Sequence, residues 1–186
     1  MGDVRSKGTN IQGILGTVGR VHGEPVRARV LASIAGEAGE ALRLGAVVSS
    51  GWYPVAWHDA TLRAIEETFP TQRHVVRELA YEAVKNDFQT LFKVVSLVAS
   101  PNFALANATK VMARYYDGGR VSVVEAREGF VHFRFDEYYG FTSRVWEDVH
   151  GGLAGIIDLM GVIREPFDVL GAQGAKAEII ARYKRA

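Results

Sequence analysis

The densest run of side chains able to do chemistry is FRFDEYYGFTSRVWEDVHGG, residues 133–152, which holds Asp136, Glu137, Ser143, Arg144, Glu147, Asp148 and His150. Carboxylates beside an imidazole can ligate a metal ion or exchange a proton with a substrate. Spacing decides between such a site and a strand-to-helix corner. Gly140 permits a turn, and Thr142 or Ser143 can cap a helix. Val145, Trp146, Val149, Leu153, Ile156, Ile157 and Met160 then fill one helical face, with Glu147, Gly151, Ala154 and Asp158 opposite and Gly161 as the stop. Asp148 and His150 stand about 200° apart on that helix and cannot share a small ligand. Glu147 and His150 are close enough, but make at most half a site. Arg144 precedes Glu147 and Asp148 at ion-pair spacing, which predicts a solvated charge cluster. Asp136 and Glu137, adjacent on extended chain, point apart. The stretch reads as a corner, with neither catalytic nor metal-binding residues.

His58 is the other candidate. Pro54 fits a first helical turn, after which Val55, His58, Leu62, Ile65 and Phe69 share one side. An imidazole in an apolar stripe could ligate a metal or haem. The simpler expectation is a core histidine hydrogen-bonded to backbone, since no second ligand stands at helical spacing. The glycines of QGILGTVG, residues 12–19, match neither a dinucleotide fingerprint nor a phosphate-binding loop, and are expected to ease a bent N-terminal strand. The absence of cysteine excludes disulfides, thiolate metal sites and cysteine nucleophiles. No Ser-His-Asp order or HExxH motif stands out, so an enzyme is not expected. With 22 basic against 21 acidic residues, no global field would gather nucleic acid or anionic lipid. The N-terminus MGDVRSKGTN is polar and lacks a secretory core, and no apolar run reaches a bilayer span, so a cytoplasmic location is expected.

The elements that must position these residues follow from periodicity. A chain of 186 residues with 48% hydrophobic content suits one domain. Residues 1–8 are expected to be a flexible tail and 9–186 a single α+β domain. Helices are predicted over 24–35, from Pro54 to Phe69, and from an N-cap at Thr71 into an all-apolar core helix over 88–99. Another runs from Ser100-Pro101 to about Tyr115. At Asp117-Gly118-Gly119 the period becomes two. RVSVVEA and FVHFRF form a hairpin across Glu128-Gly129, with Val131, Phe133 and Phe135 on one face and His132 and Arg134 on the other. AKAEIIARYK supplies a last strand.

This order of elements resembles a superfamily that contains the haem-nitric-oxide-binding (H-NOX) sensors, the four-vinyl-reductase-like ligand-sensing domains and the Bet-type subunits of the TRAPP tethering complex. GWYPVAWHDATLRAIEETFP, the helical run after it and GAQGAKAEIIARYK look like an uncharacterised paralogous family of myxobacteria; the likeness spans residues 50–184. It implies a helical shell beside a small antiparallel sheet, an apolar pocket and dimerisation through helices. Haem sensors of this superfamily use a histidine on the helix before the hairpin and a Tyr-x-Ser-x-Arg element. Here LFKVVSLVAS and PNFALANATKVMARYY contain no histidine. Phe141-Thr142-Ser143-Arg144 has phenylalanine for tyrosine and its arginine one position early. Acyl-carrying tethering subunits use a cysteine that is absent. No cofactor is expected.

Two functions are compatible with this. One is a sensory or regulatory module that holds a small apolar molecule among Phe88, Phe92, Phe103, Phe133 and Trp146 and signals through a partner protein. The other is a ligand-free homodimeric scaffold, with Trp57 as a candidate interface anchor.

Overall fold

The computed structural model describes residues 2–91, 108–159 and 161–185. The chain opens with β1 (Arg5–Lys7), then α1 (Gly8–His22), α2 (Glu24–Ser33) and α3 (Gly36–Arg43). It continues through β2 (Trp52–Pro54), α4 (Val55–Thr68), α5 (Val75–Leu91) and α6 (Ala108–Tyr115). The hairpin β3 (Arg120–Arg127) and β4 (Phe130–Asp136) follows, then α7 (Ser143–Asp158), β5 (Val162–Arg164), β6 (Asp168–Gln173) and β7 (Lys176–Arg185). The architecture is α+β, helical shell first and antiparallel sheet second. The order across the sheet is β3-β4-β7, and the far edge of β7 is shared end to end by β5 and β6.

The hairpin and the terminal strand form as their alternation predicts. Val131, Phe133 and Phe135 of β4 are buried opposite Ala181, Ile179 and Ala177 of β7. On the other face Glu178 accepts from His132 Nε2 at 2.7 Å and Arg134 Nε at 2.9 Å. Phe133, Phe135, Tyr138, Phe141, Tyr116 and Trp146 interlock beneath the sheet, with neighbouring ring centroids such as Phe141–Trp146 4.8 Å apart. Edge-to-face and tilted pairs of this kind add about 0.5–1.5 kcal/mol each beyond the area they bury.

The N-terminal expectations need correction. Residues 12–19 belong to α1, not to a strand, because Ile11, Ile14, Leu15 and Val18 recur at helical spacing and are all buried. The glycines between them obscured that period. Residues 4–8 are not a tail. Val4 is 5% exposed, its N–H donates to the Tyr139 carbonyl, and β1 pairs with β2. A single apolar residue and a three-residue strand leave little trace in a polar sequence.

One helix boundary also moves. His74 adopts φ 63°, so α5 starts at Val75 and Thr71 lies in the preceding turn. The predicted helix start at Ser100-Pro101, with Phe92 and Phe103, lies outside the described residues. The helix α7 starts where expected: Thr142 Oγ1 accepts from the Val145 N–H at its N-cap. Its second flank is not solvated, however. A Cβ on Gly151 would overlap the Arg77 carbonyl, and one on Gly155 would lie 3.0 Å from that of Tyr81. Small residues there let α5 lie directly against α7, so Gly151 and Ala154 face a helix where water was expected.

Candidate functional site

Burial on both flanks of α7 reorganises the charged corner. Arg144 does not pair with Glu147 or Asp148. Its Nε and Nη2 donate to Asp59 at 2.9 and 3.2 Å, and Nη1 reaches Glu66 at 3.5 Å. Thr142 Oγ1 also donates to Asp59 at 2.5 Å. Burial alone would raise the Asp59 carboxyl, but the hydrogen bonds from Arg144 and Thr142 hold it below the usual range. Glu147 instead accepts both Nε and Nη2 of Arg77, at 2.8 and 2.7 Å, with His74 Nδ1 at 3.5 Å. The local spacing favoured i,i+4 pairs; tertiary partners on α4 and α5 displaced them.

His58 is fully buried, as the stripe on α4 predicts, but its neighbours are side chains and not backbone. Nδ1 lies 3.4 Å from Ser6 Oγ, and Nε2 lies 3.7 Å from Asp148 Oδ2 without a hydrogen bond. Tyr116 donates to the same Asp148 oxygen at 3.3 Å. Desolvation pulls the imidazole below its ordinary value against the fields of Asp148 and Asp59, and raises the Asp148 carboxyl. Serine, imidazole and carboxylate are thus assembled, but Ser6 has no exposed surface, so no substrate can reach a nucleophile here. A small cavity of about 70 Å³ touches this cluster through Asn10, Tyr116 and Asp148.

A larger cavity opens on the other side of α7. Its volume is about 540 Å³, and it is walled by the end of α1, the first half of α5, α7 and the β5–β6 link. Val21, Val75, Leu79, Ala154 and Phe167 give it an apolar lining, and Arg77, Arg164 and His150 reach it as polar groups. His150 is 6% exposed and stacks on Phe167 with ring centroids 5.2 Å apart and planes inclined by 19°. Burial, then the nearby guanidinium of Arg77, depresses its pKa to about 4, with Glu147 opposing and Arg164 assisting. The imidazole is therefore neutral at pH 7, and neither nitrogen has a hydrogen-bond partner among the described residues.

This cavity is not where the aromatic residues of the sequence pointed. Phe133 and Trp146 are buried in the aromatic core and line neither cavity; Trp146 Nε1 donates to the Gly174 carbonyl at 3.0 Å. The side chain of Phe88, like all of Phe92 and Phe103, lies outside the described residues. Trp57 is partly buried and stacks on Tyr53 at 5.4 Å. The residues that do line the cavity come from four separate segments, which no local motif links. One signal was available: Gly151, Ala154 and Gly155 mark a second packed flank, and His150 stands at its edge. Among the described residues no group of three or more His, Cys, Asp or Glu could hold a metal ion.

The described elements define an H-NOX-type fold. Over 97% of both chains the protein superposes on the Fe(II) unliganded H-NOX protein of K. algicida with a TM-score of 0.70 at 13% identity. An H-NOX protein of S. oneidensis in the Fe(II)NO state matches with a TM-score of 0.71 at 12% identity, over 96% of this chain and 99% of that one. An oxygen-binding H-NOX domain related to soluble guanylate cyclases gives 0.66 at 13% identity, over 96% and 95%. No protein-family model and no curated protein matches the sequence.

Proposed function

We propose that the chain is a haem-free sensory module that takes a small, mostly apolar molecule and acts through a partner protein, without enzymatic activity of its own. The observation that carries this is the cavity of about 540 Å³ beside α7, within the ~300–1,000 Å³ typical of small-molecule sites, with a buried, unpartnered imidazole among apolar walls. The shared fold supports a sensory role, because the similar structures are ligand-binding H-NOX proteins.

Haem itself does not fit the residues present. All 5 histidines lie at positions 22, 58, 74, 132 and 150, so residues 92–107 can offer no imidazole. His58 is sealed by Ser6 and Asp148. Arg144, which stands nearest to the propionate-binding arginine of haem sensors, already holds Asp59 with two nitrogens. The gap bounded by α1, α5, α6 and α7 measures about 70 Å³, room for a few small molecules of solvent and not a macrocycle. On this reading the chain sits with the haem-free members of the superfamily, the myxobacterial family among them, as a cytoplasmic regulator. No described helix is long and apolar enough to cross a membrane.

The competing homodimeric scaffold draws support from Val123 and Val124, 43% and 45% exposed on the edge strand β3. Native mass spectrometry of gently purified protein, followed by solvent extraction, separates the two. A retained small molecule that disappears in Val21→Trp, which fills the cavity from its exposed rim, is the expected result. A ligand-free dimer, unchanged by that substitution, overturns the sensor.

A further inference from the structure

The polar groups of the large cavity define which end of a ligand they would hold. Arg77 spends Nε and Nη2 on Glu147, which leaves Nη1 without a hydrogen bond among the described residues. Arg164 keeps Nε 2.8 Å from Asp158 Oδ1, and neither of its terminal nitrogens has a hydrogen-bond partner among the described residues. Its guanidinium lies 5.5 Å from the Phe167 ring and 5.9 Å from the Tyr81 ring, so aromatic faces hold it in place. His150, stacked on Phe167, adds one N–H donor in its neutral form, and His22, Gln72 and Tyr81 also border the cavity. Glu78 and Glu82 also touch the cavity, but both side chains are exposed and screened by solvent.

We infer that this cavity is a site for an amphiphilic monocarboxylate, an organic acid whose carboxylate is held by Arg77, Arg164 and His150 and whose apolar body lies along Val75, Leu79 and Phe167. Guanidinium groups fixed in a partly dry site are well suited to a planar carboxylate. The field at His150 has the matching sign, since Arg77 and Arg164 both disfavour its protonation and only Glu147 opposes them. A carboxylate placed there meets donors that are already oriented. Glu147 and Asp158 balance the two guanidinium charges from behind, so the site is not left with uncompensated buried cations when empty.

The inference rests on the cavity reading above and has its own test. 2-Naphthoate and the neutral 2-naphthalenemethanol share a ring system and differ in the head group. Titrated calorimetrically into the whole chain at pH 7, the carboxylate is expected to bind at least tenfold more tightly than the alcohol. Arg164→Gln should reduce that preference to less than threefold while leaving the alcohol's affinity within about twofold. Glu147→Gln, which frees Arg77, should strengthen carboxylate binding and leave the alcohol unchanged. Equal affinity for both probes, or tighter binding of the alcohol, overturns the monocarboxylate assignment and leaves the small-ligand reading standing. Failure of both probes to bind at millimolar concentration overturns both. The comparison on the unaltered chain is decisive even if a variant does not fold.

Discussion

Two histidines on opposite sides of α7 are both buried and both held neutral by desolvation, yet they occupy different kinds of place. His58 is enclosed by Ser6, Asp148 and Tyr116, and its Nε2 has neither a hydrogen bond nor a route to solvent. His150 is equally short of partners, but its ring borders about 540 Å³ of space flanked by two guanidinium groups. A buried imidazole near a carboxylate and a hydroxyl therefore does not make a site. What sets His150 apart is the cavity on its border. His58 with Asp148 is a polar element of the core, and His150 is a buried ring in a cavity wall.

The largest effect should erase the contrast. Trp146 anchors α7 in the aromatic core, and Trp146→Ala is expected to cost about 3–5 kcal/mol in chemical denaturation, disturbing both histidines together. A variant that unfolds like the parent would mean α7 is held by something other than that core.

Acid sharpens the contrast next. The folded-state pKa of His150, about 4, lies below the unfolded value near 6.5, so between those values the unfolded chain binds the extra proton. Stability contributed by the neutral ring is present above pH 6.5 and is lost as pH falls toward 4, by up to about 3 kcal/mol in all. His58 adds a loss of the same sign. His150→Phe should flatten this slope by about one proton, measured as denaturation midpoints from pH 7 to pH 4. An unchanged slope would place the titration elsewhere.

Removing each ring at pH 7 separates stability from binding. His58→Leu strips Ser6 and Asp148 of their neighbour and should cost about 1–3 kcal/mol, with naphthoate affinity unaltered. His150→Phe preserves ring volume and the stack on Phe167 and should change stability by less than about 1.5 kcal/mol, while weakening naphthoate at least fivefold. The reverse pattern would exchange the roles of the two residues. Smallest of all, Arg134→Gln on the sheet's exposed face should shift stability by no more than about 0.5–1 kcal/mol and leave binding untouched.

How legible these regions were in the sequence follows from how local their causes are. The alternation of FVHFRF set Val131, Phe133 and Phe135 on one face, and all three are buried, because a strand's period is fixed by its backbone. The stripe of α4 buried His58 for the same reason. What it could not show was that Ser6 and Asp148 would be its neighbours, since those contacts span 52 and 90 positions. For α7 the apolar face holds at Val145, Trp146, Val149, Leu153 and Ile157, with Met160 outside the described residues, but Gly151 and Ala154 were set on the opposite, polar side. A small side chain is silent about whether water or a helix lies above it. That one ambiguity concealed His150, the pairing of Glu147 with Arg77, and the cavity itself.

The close approach of α5 to α7 also limits how a molecule can enter. At Gly151 the backbones meet with no side chain between them, so neither helix can roll or slide without breaking van der Waals contact along the seam. Two of the four walls of the cavity are consequently fixed, and any breathing falls to the end of α1 and to the link between β5 and β6 that carries Pro166 and Phe167. Movement of that link would alter the stack of Phe167 on His150. Any such movement would pass to the sheet edge beyond the helices, where β5 and β6 share one strand.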